Sequence, residues 1–216
     1  LRTPLTTIAG NASSLLSNGK SFDEQTRYQI YQDIYNDSVW LNNLVENLLY
    51  ATRIEEGRMV LNTSTELLAD VIDDAVRHVK QHSGEHSIFV ESDDEYILVT
   101  ADARLIVQVI INIVDNAVRY TPPGSHITIR SCRENNMAVV YIEDNGNGIS
   151  DEDKEHVFDK FYSGTNRIAD NRRSIGLGLY LCKAIIEAHG GTITVRDNNP
   201  AGAVFVFTLP LADNAF

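Results

Sequence analysis

Residues 108–121 read QVIINIVDNAVRYT, and the period of this stretch decides the fold. Val109, Ile110, Ile113, Val114, Ala117 and Val118 recur at three- and four-residue steps, the spacing of an amphipathic helix. Asn112 and Asn116 stand at i, i+4, so such a helix stacks both carboxamides on one face, one turn apart, at the edge of a core. Each buried amide needs partners for its oxygen and its two N–H donors. A hard cation or a phosphate would provide them, and so would neighbouring backbone; an isolated N-x-x-x-N does not choose between the two.

Working outward, the spacing predicts a helix over Ala103 to Tyr120, with Asp102 as N-cap and Thr121-Pro122-Pro123-Gly124 as its stop. Upstream, MVLNTS (59–64) reads as an edge strand and Leu67 to Val79 as a helix. Ser87 to Val90 and Tyr96 to Val99 read as two strands joined by the acidic turn 92–95. Downstream, Ile127, Ile129, Val139, Tyr141 and Ile142 mark two strands around the polar turn Glu134 to Asn136, and the second runs directly into Asp144. Ser163 to Ser174 is polar, Arg-rich and without period, a mobile loop. Gly176 to His189 is helical and closed by Gly190-Gly191, and Thr192 to Val195 and Val204 to Leu209 finish as strands. Antiparallel strands under a few helices make an α+β, two-layer sandwich.

The N-terminal quarter reads differently. Leu5, Ile8, Ala12, Leu15 and Leu16 predict a helix over 1–16 with Pro4 in its first turn, and the stretch Ser17 to Lys20 stops it. A second helix starts near Phe22, with Ser21 as N-cap and Glu24 completing a capping box, and runs to about Glu56, where Gly57 ends it. Ile30, Ile34, Leu41, Leu44, Leu48 and Ala51 keep a coiled-coil step, broken only by Asp37 on the seam. Such a helix is roughly 50 Å long. One shorter helix cannot cover its apolar stripe, whereas a second copy of the hairpin would, giving a homodimeric four-helix bundle. The domains expected are therefore a helical hairpin, 1–57, and an α+β domain, 58–216.

With 216 residues, 43% hydrophobic and 22% charged, the chain has material for these two units and is not of disordered composition. Its net charge of −12 argues against nucleic acid or an anionic membrane surface as a general partner. Cys132 and Cys182 read as buried small residues of a reducing compartment, with no disulfide. The longest apolar runs fall short of a membrane span, so the segment is expected to be soluble. An opening of LRTPL rather than methionine is expected of a piece of a longer protein.

Three further clusters carry chemistry. Asp144-Asn145-Gly146-Asn147-Gly148-Ile149 follows a strand, so its glycines let backbone approach a ligand and its carboxylate can accept the exocyclic amine of adenine. Guanine would set a carbonyl against that carboxylate, a mismatch of roughly a few kcal/mol. An Asn-Gly turn with an exposed aspartate would look the same in sequence. Phe158-Asp159-Lys160-Phe161-Tyr162 places two aromatics at i, i+3, read as a packing anchor and hinge for the loop that follows. Ile175-Gly176-Leu177-Gly178-Leu179 opens a helix whose bare amides and dipole suit a phosphate.

Together and in this order, the stretches resemble the cytoplasmic core of sensor histidine kinases. Asn112 to Tyr120 is similar to the family's asparagine box, Asp144 to Gly148 to its first glycine box, Phe158 to Phe161 to its phenylalanine box, and Gly176 to Gly178 to its second glycine box. LRTPL, the paired helices, HGG and FTLPL also match, and AVFVFTLPL resembles the potassium-responsive, Kdp-type kinases. The resemblance implies ATP and Mg²⁺ in the ATPase fold shared with type II topoisomerases and mismatch-repair ATPases. It implies that Asn116 supplies the oxygen for Mg²⁺ with Asn112 beside it, that Tyr120 lies against adenine, and that Arg119 reaches the phosphates. Asp144 would read the amine and Gly146, Gly148 and Ile149 would line the approach. Phe161, Tyr162, Gly176, Leu177, Gly178 and Leu179 would complete the cofactor site, with Ser163 to Ser174 as lid and Arg167, Arg172 and Arg173 near the phosphates. No Walker-type G-x-x-x-x-G-K-[ST] occurs.

The chain departs from the family in two places. Ser174 stands where the lid motif has a glycine, which implies altered lid flexibility. The phosphate-accepting histidine and its acidic neighbour would lie just before Leu1, and His78, His82, His86, His126, His156 and His189 all lack that context and read as surface or capping residues. The resemblance implies phosphoryl transfer from ATP to the upstream histidine, then to an aspartate of a response-regulator receiver domain. Thr3 matches a position that orients water for phosphatase activity. The full-length protein would be anchored in the inner membrane through upstream segments. Two rivals remain, a nucleotide-gated dimeric scaffold without phosphoryl transfer and an ATP-driven clamp, against which the long hairpin and LRTPL argue.

Overall fold

The computed structural model describes residues 2–57, 59–80, 83–92, 94, 96–164 and 176–212. These fall into two compact units that part between Arg53 and Ile54.

The first unit is a hairpin of α1 (Arg2–Asn18) and α2 (Glu24–Glu55). The cap of α2 corrects the sequence expectation. Asp23, not Ser21, accepts the first-turn amide, with Thr26 N–H donating to its Oδ1 at 2.6 Å. Ser21 instead closes α1, its hydroxyl donating to the Asn18 carbonyl at 2.7 Å. Along α2 the covered positions include Ile30, Ile34, Asp37, Leu41, Leu44 and Ala51. Leu48 departs from the expected seam at 47% exposed, because the three-residue step from Leu44 places half-buried Asn47 inward instead. A second row, Tyr28, Tyr31, Tyr35, Val39, Val45 and Leu49, also at helical steps, is exposed.

The second unit runs β1 (Ser64–Leu67), α3 (Leu68–Lys80), β2 (Ser87–Ser92), β3 (Leu98–Ala101), α4 (Ala103–Tyr120), β4 (His126–Glu134), β5 (Met137–Asp144), α5 (Asp151–His156), α6 (Gly178–Ala188), β6 (Ile193–Asp197) and β7 (Ala203–Pro210). Five strands form a sheet in the order β2-β4-β5-β7-β6, and β1 and β3 form a separate two-stranded ribbon. Only β2·β4 is parallel among the pairs of the large sheet, so the sheet is mixed and not purely antiparallel as the sequence suggested. The two strands expected between residues 87 and 99 both form but do not pair with each other: β2 pairs with β4 and β3 pairs with β1. The first strand also lies later than expected. Residues 59–63 are irregular, and the Asn62 N–H goes to the Asp102 carboxylate at 3.1 Å rather than to a ladder.

Period-2 burial positions the core. On β4, Ile127, Ile129 and Ser131 are buried while Thr128, Arg130 and Cys132 are half-exposed. Helices α3, α4 and α6 pack side by side over the buried face. Their contribution is Leu68, Ile72, Ile106, Ile110, Ile113, Leu181 and Ile185, all fully buried. Between β4 and β5, Asn135 and Asn136 both take positive φ, 46° and 66°, as a two-residue hairpin turn requires.

Helix α5 was not foreseen in the sequence. Six residues are too few for a hydrophobic period, yet the Ser150 side chain accepts from Asp153 N–H and three acids follow in the first turn.

Candidate functional site

Helix α4 has the expected bounds, and Asp102 is its N-cap by backbone conformation but makes no side-chain cap bond. The Asp102 carboxylate is engaged by Asn62, and the Asp102 N–H donates to His189 Nε2 at 3.0 Å. His189 Nδ1 lies 2.7 Å from the Ile185 carbonyl, so Nδ1 carries the proton and the imidazole is a strut from α6 to the start of α4. His189 is thus internal, 7% exposed, and of the two roles expected it takes the capping one, as C-cap of α6, and not the surface one. His82 lies outside the described residues.

Asn112 and Asn116 are both half-buried on α4. Asn112 Oδ1 accepts from Gln108 Nε2 at 3.1 Å, while Asn112 Nδ2 is buried without a hydrogen-bond partner among the described residues. An orphaned donor in such a place costs on the order of 1–3 kcal/mol unless a ligand takes it up. The Asn116 side chain makes no hydrogen bond among the described residues, and Arg119 is exposed. Tyr120 is half-buried at the end of the same helix. The start of α6 faces Asn112: a Cβ on Gly178 would lie 3.9 Å from Asn112 Cγ. Leu177 is the N-cap of α6 and itself buried, so what it can offer a ligand is backbone, and the first-turn amides of Gly178 and Leu179 have no intrahelical acceptor.

At the other end of α4, Gly146 presses against the Thr121 methyl, where any side chain would collide. This contact brings Asp144 to the site. Asp144 ends β5 at 7% exposed, and its Oδ1 accepts from Gly146 N–H at 2.9 Å and from Ala203 N–H at 3.2 Å. Among the described residues nothing donates to Oδ2. Burial pushes the carboxyl pKa up, and the two N–H donors partly offset that rise. Gly148 takes φ 73° beside Gly202, and Ile149 is half-buried after it.

The phenylalanine stretch divides in two, which corrects the reading of Phe158 and Phe161 as one anchor. Phe158 packs edge-to-face on Phe205, centroids 6.3 Å apart, whereas Phe161 is 57% exposed at φ 65°. The Tyr162 hydroxyl donates to buried Asp153 Oδ1 at 2.6 Å, a bond that pushes the phenol pKa up to about 12. Both residues join the site through their backbone. Phe161 N–H donates to the Gly176 carbonyl at 2.9 Å, and Gly176, at φ 70°, packs where a side chain would strike Phe161 and Tyr162. Of the expected lid, Arg167, Arg172, Arg173 and Ser174 lie outside the described residues, as does Ile175. Thr3 is exposed on α1, its carbonyl accepting from the Thr7 hydroxyl at 3.1 Å.

Contact by contact, then, Phe161 and Tyr162 reach Gly176, Gly178 reaches Asn112, and Gly146 reaches the end of the asparagine helix. Sequence reasoning missed Asn198, Gly202 and Ala203 behind Asp144, and Asp153 beneath Tyr162. Only Ser150-x-x-Asp153, a cap signature, could have flagged any of them. A groove of about 390 Å³ lined by Met137, Val139, Tyr141 and Val206 opens on the helix-free face of the sheet and gathers none of these groups.

A two-layer sandwich with an asparagine-bearing helix, a strand-end carboxylate and glycine-lined turns defines an ATPase domain, and residues 101–213 match the family of histidine kinase-, DNA gyrase B-, and HSP90-like ATPases. Residues 1–57 match the His kinase A phospho-acceptor domain. The chain belongs to the sensor histidine kinases, of which it carries the helical and ATPase portions. It is 40% identical over 210 residues to the sensor protein KdpD of Clostridium acetobutylicum, covering 97% of this chain and 23% of that protein. It is 31% identical over 212 residues to the sensor protein SrrB of Staphylococcus aureus, covering 97% of this chain and 36% of that protein. The chain thus spans about a quarter to a third of the length of these curated relatives. Among solved structures it is similar to the Acinetobacter baumannii histidine kinase AdeS, with TM-score 0.74 and 26% identity over 99% of this chain and 98% of that one. The histidine kinase ThkA, solved in complex with the response regulator protein TrrA, gives TM-score 0.67 at 27% identity over 100% of this chain and 60% of that one. No helix among the described residues is long and apolar enough to cross a membrane.

Proposed function

We propose that the α+β unit binds Mg-ATP and that the intact protein passes the γ-phosphate to a histidine just upstream of Leu1, and from there to an aspartate of a response regulator. The observation that carries this reading is a pair of unmet groups, Asn112 Nδ2 midway along α4 and Asp144 Oδ2 in the turn whose Gly146 abuts Thr121 at the end of the same helix. A ligand with an amine at one end and phosphate oxygens at the other meets both. Asp144 Oδ2 accepts the adenine amine, Tyr120 lies against the base, and Gly146, Gly148 and Ile149 admit it. Asn112, Arg119 and the Gly178 and Leu179 amides hold the phosphates. Phe161 and Tyr162 hold Gly176, and through it the start of α6.

Among the described residues no cluster of acids or histidines could form a metal cage. A cation would therefore draw on Asn116 Oδ1, phosphate oxygens and water, a donor set suited to Mg²⁺, which when bound screens charge on the transferring phosphoryl group. The remaining task of the chain is positioning in line with the imidazole. The hairpin of residues 1–57 dimerises and presents the acceptor, and Thr3 orients water for the reverse, phosphatase reaction. The hairpin match and the ThkA–TrrA complex support a dimer and a response-regulator partner. Calorimetry tests the site: Mg-ATP binds this chain, and Asn116→Ala reduces the affinity to that measured with the metal chelated. Equal Mg-dependent affinity in the variant would remove the metal assignment.

A further inference from the structure

The carboxylate proposed to read adenine does not hold its own position. Asp144 is the last residue of β5, followed by a turn with two glycines, and within its own segment the Gly146 N–H is the one group among the described residues that donates to its carboxylate. The other holds come from the turn between β6 and β7, more than fifty residues later. Asn198 Nδ2 donates to the Asp144 carbonyl at 2.8 Å, and Ala203 N–H donates to Asp144 Oδ1 at 3.2 Å. The amide of Asn198 is itself oriented, because its Oδ1 accepts the Asn199 N–H at 2.9 Å, which leaves Nδ2 as the end turned to Asp144. The turn is closed by Asn198 N–H donating to the Gly202 carbonyl at 2.9 Å. Gly202, at φ 112°, lies so close that a Cβ there would strike the Asp144 carbonyl.

We infer that Asn198 is a positioning residue for base recognition: by clamping the Asp144 carbonyl it fixes the 144–145 peptide and so aims Oδ2, the oxygen left without a donor, at the base amine. The chemistry explains why an outside clamp is needed. A carboxylate free to turn about its Cβ–Cγ bond would swing both oxygens out of line with the two backbone N–H groups and the ligand, and adenine would meet a moving acceptor. With the carbonyl held by Asn198 and Oδ1 by Gly146 and Ala203, only one oxygen remains to be read. Preorganisation of this kind acts on the interaction with the amine and leaves the phosphate contacts alone.

The inference rests on the proposal that Asp144 reads adenine, and the test separates the two. Calorimetry compares ATP with purine riboside triphosphate, in which hydrogen replaces the exocyclic amine, on the whole chain. Asn198→Ala removes the donor, and Asn198→Ser keeps a turn-forming polar residue whose hydroxyl is too short to reach the Asp144 carbonyl. Asn198 is half-buried on a turn, and thermal melting is the check that both variants fold. Both are expected to weaken ATP about tenfold and purine riboside triphosphate less than twofold, while Asn199→Ala in the same turn changes neither. If ATP and the amine-free nucleotide weaken equally, or ATP binding is unchanged, Asn198 does not position Asp144 and the inference is overturned while base reading stands. If the unaltered chain itself fails to distinguish the two nucleotides, base reading by Asp144 falls and the inference falls with it.

Discussion

At Asp144 burial works against the charge. Its carboxyl pKa lies above the usual aspartate value because desolvation outweighs the Gly146 and Ala203 donors, so the folded chain binds this proton more tightly than the unfolded one. A raised folded value means that the group favours folding below the unfolded pKa and that this contribution is lost as pH rises through the folded pKa. At neutral pH the ionised carboxylate is therefore a net cost to the empty site. Asp144→Asn is expected to raise the melting temperature of the nucleotide-free chain at neutral pH, with the gain fading as pH falls through the carboxylate range. The same change sets an N–H₂ against the adenine amine and is expected to weaken ATP about 10- to 100-fold, the cost of an unpaired buried donor. Melting curves across pH together with calorimetry check both halves. A variant destabilised at neutral pH would show that the two bonds to Oδ1 outweigh desolvation. Asn112 and Asn116 were legible as a pair from spacing alone, since a helix fixes which side chains share a face. Asn198 was not, because its partner is the Asp144 carbonyl, and backbone acceptors leave no mark in sequence.

Among the elements, α4 could be read from residue order because apolar period, cap residue and terminal Pro-Pro-Gly all point the same way. Its burial against α3 and α6 makes it sensitive: Ile113→Ala, at a fully buried position, is expected to cost about 2–5 kcal/mol in chemical denaturation. Ribbon β1·β3 and strand β2 were harder, since their partners are remote. Ser64 pairs with Ala101, and Ser87 with His126 in parallel, and no local pattern distinguishes these pairings from a hairpin. The cap of α2 was misplaced by two residues because Ser21-x-x-Glu24 mimics a capping box, while Asp23 accepts from Thr26. Two substitutions separate these assignments. Asp23→Ala should lower helix content and melting temperature, whereas Ser21→Ala should leave α2 intact. At α6 the limiting feature is its entry, where Gly176 turns at φ 70° against Phe161 and Tyr162. Gly176→Ala should therefore displace the first turn of α6 and weaken triphosphate more than adenosine, a ratio that uniform destabilisation would not change.

For the whole molecule the decisive fact is an exposed apolar row on α2, since Tyr28, Tyr31, Tyr35, Val39, Val45 and Leu49 are too many neighbouring large side chains to leave in water. A second hairpin covers such a row in a four-helix bundle. Val45→Glu with Leu49→Glu should convert the chain from dimer to monomer in sedimentation while leaving Mg-ATP affinity in the α+β unit unchanged; an unaltered dimer would place the interface elsewhere. The proposed phosphoryl transfer is tested separately from the dimer. The described histidines are held in other roles, His189 as a strut and His86 between the Ser83 carbonyl and the Thr121 hydroxyl, so the chain as it stands should bind nucleotide without acquiring acid-labile label from radiolabelled ATP. Extended upstream through a histidine and an acidic residue, it should gain that label and lose it again on Asn116→Ala. A nucleotide-gated scaffold would dimerise and bind just as well but stay unlabelled after the extension. The extended chain therefore separates a kinase from its nearest rival by a bond to phosphorus, which neither affinity nor oligomeric state can do.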